Sequence, residues 1–139
     1  MRFMVMMIPD VYQRPVPADF MPSAEALEKM GRFNEELVKA GVMLAGEGLH
    51  PPEKAARVSF GASGKPKVTD GPFAESKEMI GGYWIWQVAS REEAIEWARR
   101  CPAQPGDVLE IRQVFEAEDF GPDIARQERE LTEKIARKE

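Results

Sequence analysis

The segment Tyr83-Trp-Ile-Trp-Gln-Val88 restricts the fold more narrowly than any other stretch. In a strand, Tyr83 and Ile85 point to one face and Trp84, Trp86 and Val88 to the other, so both faces are apolar. Each face then needs a cover. The run Arg2-Phe-Met-Val-Met-Met-Ile8 makes the same demand, being apolar and unbroken as in a strand buried on both sides. A chain of 139 residues, 43% hydrophobic, holds one compact core and has few elements to spend on covering both faces. The expected solution is a homodimer in which one sheet face meets helices and the other meets a second copy.

The remaining elements follow from local signals. Ser23 caps a helix whose apolar residues Leu27, Met30, Phe33, Leu37 and Val38 recur at helical spacing, and Gly41 ends it. Gly31 weakens that helix and is read as a close packing contact. Val42 to Leu49 is extended, with Gly46 and Gly48 marking a bulge or a close backbone approach. Ala56–Phe60 and Lys67–Thr69 form a hairpin across Gly61-Ala-Ser-Gly64. Ser90 and Glu93 make a capping box for a second helix that buries Ala94, Ile95, Ala98 and Cys101 and stops at Pro102. The last strand spans Val108–Phe115, with Leu109, Ile111, Gln113 and Phe115 on the helix side. The order is βαββαβ with a central hairpin insert, which predicts an α+β, ferredoxin-like sandwich. The domain is expected over residues 1–120. Residues 121–139 form a charged helical tail laced with i,i+4 pairs, with Ile124, Leu131 and Ile135 as its sparse apolar positions.

Charge and composition exclude several function classes. A net charge of −5 offers nucleic-acid phosphates no general attraction. No apolar run approaches the ~20 residues of a membrane span. The single cysteine, Cys101, excludes an intrachain disulfide and a Cys-cluster zinc site, and fits a reducing cytoplasm. Cys101 lies on an apolar helix stripe, as a core residue does. No cofactor or metal motif is present: the dinucleotide fingerprint, the phosphate-binding loop and the nucleophile elbow are all missing.

Histidine is the scarcest chemical resource. His50 stands alone in Gly46-Glu-Gly-Leu-His-Pro-Pro52, where two prolines stiffen the backbone around it. A stiff frame suits an imidazole acid/base group, and equally a histidine present for local packing. Asp70 opens Asp70-Gly-Pro-Phe73, a turn signal by default. The polar residues Glu75, Lys77 and Glu78 follow it, before Gly81-Gly82. If Asp70 meets His50, its carboxylate would orient the ring and favour its protonated form. Arg112 and Glu110 share the mixed face of the last strand, where an arginine could clamp a carboxylate or simply pair with a neighbour.

The string Asp70-Gly-Pro-Phe-Ala-Glu-Ser-Lys-Glu78 closely resembles the signature of the YCII-related family, in its DGPF-domain branch. Ser76 replaces the usual threonine and keeps the hydroxyl. Ala45-Gly-Glu-Gly-Leu-His-Pro51 and Gly81-Gly-Tyr-Trp84 agree with it on either side. The resemblance implies a dimeric α+β barrel, in small bacterial cytoplasmic proteins that mostly lack an assigned reaction. It also implies a catalytic His–Asp pair, with Asp70 matching the aspartate and His50 standing where many branch relatives carry glutamine. One family member is a dehalogenating enzyme, and some DGPF domains occur beside sigma factors. The leading expectation is therefore a lyase- or hydrolase-type enzyme acting on a small molecule. His50 would be the acid/base, Asp70 the orienting carboxylate, and Glu75, Lys77, Tyr83 and Arg112 the substrate contacts. The rivals are a non-catalytic or regulatory ligand-binding module, and a heme-binding barrel with His50 as axial ligand.

Overall fold

A computed structural model describes residues 1–73 and 78–137. Helix α1 spans Ala24–Lys39 and starts where expected, with Ser23 Oγ accepting the Ala26 amide at 3.1 Å. It ends in a Schellman turn. The Gly41 amide donates to Val38 O at 3.0 Å and the Val42 amide to Leu37 O at 2.9 Å, with Gly41 at φ +71. Helix α2, Arg91–Arg99, is capped by Ser90 Oγ on the Glu93 amide at 3.1 Å. The Glu93 carboxylate reaches back to the Ala89 amide at 2.7 Å, one residue earlier than a standard capping box would place it.

Strands β1 (Arg2–Ile8), β2 (Met43–Gly48), β5 (Gly82–Gln87) and β6 (Val108–Gln113) form one sheet in the order β2-β5-β1-β6. Every neighbouring pair is antiparallel, as a ferredoxin-like arrangement requires. Strands β3 (Ala56–Phe60) and β4 (Pro66–Asp70) pair only with each other, as the expected hairpin insert. Register puts Val5 between Trp84 and Ile111, on the face that both helices cover. There Phe3, Val5, Trp84 and Trp86 pack with Phe33 and Leu37 of α1 and Ala94 of α2. The register shift in β2 falls between Met43 and Ala45, and the close approach is at Gly46, where a Cβ would sit 2.5 Å from Met43 Cε.

Three expectations need correction. An added Cβ at Gly31 would meet nothing within 4 Å, so no packing contact explains that glycine. Phe115 does not join the core. β6 ends at Gln113, and Phe115 is exposed, its ring 5.1 Å from Phe120. The tail forms helix α3, Pro122–Arg137, but the ion pair from Arg129 runs to Glu118 at 3.5 Å, outside the helix. Ile124, Leu131 and Ile135 are exposed along it, while Ala125 is buried.

The second sheet face carries Met4, Met6, Ile8, Tyr83, Ile85, Glu110 and Arg112. Met4 lies between Ile85 and Arg112, and Met6 between Tyr83 and Glu110. Its centre is apolar and its β6 edge is charged and exposed.

Candidate functional site

The chain brings several loops together at the end of the sheet where β2 stops. The Leu49 amide donates to Gly81 O at 3.0 Å, and the Gly81 amide to Met7 O at 2.8 Å, so β2, β1 and the lead into β5 meet there. His50 follows, exposed. Pro51 and Pro52 are buried, and a short 3-10 turn over Pro52–Lys54 reverses the chain. Asp70 is the last residue of β4, opposite Ala56. The Gly71 amide donates to Ala55 O at 2.7 Å. A Cβ at Gly71 would lie 2.0 Å from Pro52 O, so only glycine lets these two backbones approach so closely.

The fold thus lays Asp70-Gly71 against the turn that directly follows His50. Among the described residues no hydrogen bond or ion pair joins the two side chains. Both are exposed. Glu75 and Lys77 lie outside the described residues. Tyr83 is half-buried on β5. Arg112 is exposed on β6, the far edge of the sheet from β2, roughly 14 Å away at three strand spacings. Phe73 lies under the Arg57 guanidinium at 3.8 Å.

The loop after β1 packs onto the same end. An added Cβ at Gly81 would meet Pro9 Cγ at 2.8 Å and Tyr12 Cε2 at 3.2 Å. Tyr12 is buried, with its ring 5.9 Å from Phe20. Burial, and secondarily the Glu53 carboxylate, push the Tyr12 phenol above its ordinary pKa, so it remains a protonated donor in neutral solution. Glu53 Oε1 accepts the Val16 amide at 3.1 Å, tying this loop to the turn after His50.

Between this loop, α1 and the sheet lies a cleft of about 880 Å³. This cleft is on the helix-covered side of the sheet. Two paired glycines contribute no side chains to its floor. Gly48 is in register with Gly82, and Gly46 with Trp84, all on the helix-facing side. A Cβ at Gly48 would meet nothing within 4 Å. Met30 and Asn34, four residues apart on α1, form the opposite wall, while Tyr12 and Phe20 close one side. Tyr83 borders the cleft; His50, Asp70 and Arg112 do not. Tyr12, Asn34 and Trp84 were not expected as site residues. A proline-rich loop reads as a connector and a tryptophan as core, and only the glycine cluster 46, 48, 81 and 82 signalled the space.

Cys101 sits just past α2, half-buried beneath the core, and burial with a smaller contribution from Asp107 pushes its thiol up to about 11. The folded thiol thus holds its proton above the ordinary value near 9, and the thiolate form is lost from neutral solution. Alkylation by iodoacetamide at pH 8 is expected to run about a hundredfold slower than in urea and to accelerate as the pH approaches 11. Equal rates in the two conditions would contradict this placement. Among the described residues no group of three His, Cys, Asp or Glu side chains could hold a metal ion, and no helix is long and apolar enough to cross a membrane.

An α+β chain with a four-stranded antiparallel sheet, two covering helices and a hairpin insert is the class of protein defined so far. Residues 1–118 match the YCII-related domain, and the chain belongs to that family. It is also 34% identical over 73 residues to an uncharacterized protein of Rhizobium meliloti (strain 1021), covering 52% of this chain. The match spans 58% of that relative's length.

Proposed function

We propose that this YCII-related protein is a cytoplasmic, DGPF-branch enzyme of lyase or hydrolase type that acts on a small molecule. His50 serves as acid/base and Asp70 orients it, with Glu75, Lys77, Tyr83 and Arg112 as substrate contacts. The observation that supports the reading is the close seating of Gly71, next to Asp70, on the Pro52 turn that follows His50. The glycine-floored cleft at the same end, with Gly48 two residues before His50, offers room for a substrate. The working unit is a homodimer paired through the face of Met4, Met6, Tyr83 and Ile85, whose apolar centre supports that pairing.

A second reading has its own support. The cleft wall contains neither His50 nor Asp70, an arrangement that suits a binding module without chemistry. A metabolite library screened by thermal shift, followed by mass spectrometry of the hits, separates the two. For the enzyme, His50→Ala and Asp70→Asn abolish product formation while ligands still raise Tm, and light scattering of the same preparation reads twice the chain mass. Hits that bind without being consumed by the wild type, or turnover unaffected in both variants, would favour the binding module.

A further inference from the structure

Asn34 stands in the cleft wall with its amide held in one orientation. Its Oδ1 accepts the Trp84 indole N–H at 2.8 Å, which leaves both donors of the side chain on Nδ2. Among the described residues no protein acceptor takes them. Asn34 is half-buried and Trp84 almost fully so, and both line the cleft, where these donors stay open to solvent. An unused donor in such a place favours a ligand that brings an acceptor.

Charge narrows the choice. Among the described residues, Asp10, Glu25, Glu47 and Asp107 border the cleft against Arg14 and Lys29. Both cations are engaged: Arg14 Nη2 with Asp10 Oδ2 at 3.0 Å, and Lys29 Nζ with Glu25 Oε1 at 3.0 Å. Asp107 accepts the Asp10 and Gln104 amides at 2.8 Å each, so neither of its oxygens is balanced by a cation. A carboxylate entering this cleft would leave water for a net negative field in which the described lining cations are already paired. Shape narrows it further, since Tyr12, Phe20 and Trp84 line the cleft and Gly48 and Gly82 supply no side chains to it. Flat rings pack well against such aromatic walls.

We infer that the cleft takes an uncharged, flat, apolar ring compound bearing a carbonyl group, whose oxygen accepts a hydrogen bond from Asn34 Nδ2. The inference rests on the cleft being the small-molecule site, and it names the ligand's chemistry. The Trp84 indole N–H signal in a nitrogen–proton correlation spectrum reports the event directly, because that N–H is bonded to Asn34.

Three matched probes test it in titrations: 2-acetylnaphthalene, 2-ethylnaphthalene, which lacks the acceptor, and 2-naphthoate, which adds a charge. The ketone is expected to bind about five- to tenfold more tightly than the hydrocarbon and at least about tenfold more tightly than the carboxylate. Asn34→Asp keeps an acceptor for Trp84 but removes the donors, and should bring the ketone down to the hydrocarbon's affinity. Gly48→Leu grows into open space and should weaken all three without lowering Tm. Equal affinity for naphthoate, or a ketone preference that survives Asn34→Asp, overturns the inference and leaves the cleft as a small-molecule site. A Trp84 signal unmoved by all three probes at saturation overturns that site as well.

Discussion

Replacing Trp86 by alanine is expected to cost about 3–5 kcal/mol, the range for emptying a large aromatic site in a packed core. Trp86 is fully buried, with the Trp84 ring at 5.6 Å and the Phe33 ring at 6.3 Å. Cross-strand register places it between Phe3 and Met43, so its removal opens the centre of the sheet as well as the helix contact. At about 2–4 °C per kcal/mol for a domain near this size, Tm should fall by roughly 10–15 °C. Trp86→Phe should cost much less, about 1–2 kcal/mol, because the buried indole N–H has no hydrogen-bond partner to lose. Thermal denaturation followed by circular dichroism measures both. An alanine variant within ~1 kcal/mol of the wild type would place the core elsewhere.

Gly71→Val should have the largest effect on the candidate site. Its Cβ would lie 2.0 Å from Pro52 O, and the opposing group is backbone that cannot rotate away. That backbone is held by the Lys54 amide on Pro51 O and the Ala55 amide on Pro52 O, both at 3.0 Å. The Asp70-Gly71 strap must therefore lift, breaking the 2.7 Å bond from the Gly71 amide to Ala55 O. We expect a loss of about 2–3 kcal/mol, typical of a severe backbone conflict. Proteolysis of the 56–70 hairpin should quicken while the Trp84 and Trp86 signals stay native-like. Gly61→Ala, where an added Cβ meets nothing, is the matched control and should be near neutral. Native protease resistance in Gly71→Val would show that the strap does not depend on this contact.

The elements that depend on local chemistry were legible residue by residue. Ser23, Gly41 and Ser90 mark helix ends because a hydroxyl satisfies a free amide and a glycine tolerates positive φ, wherever the chain lies in space. Strand alternation located the helix-facing side of β6 for the same reason. Phe115 escaped this logic: alternation indicates where a side chain would point if the strand continued, and the strand ends two residues earlier. The tail's ion pairing also escaped it, since Glu118 meets Arg129 only because the turn before α3 folds back.

The candidate site divides in the same way. His50 and Asp70 stand out by scarcity and by motif, and those are properties of the string. The contact of Gly71 with Pro52 is not, because it depends on how the hairpin docks. The cleft is the clearest case. Gly48 and Gly82 were visible as glycines, but that they stand side by side in the cleft follows from the register of β2 against β5. The α+β order and the helix caps were written in the string, since these rest on local energetics and periodicity. Only the tertiary structure decided which side of the sheet holds open space and which donors face it. Cavities form where distant segments fail to fill the gap between them, and no single segment records that failure.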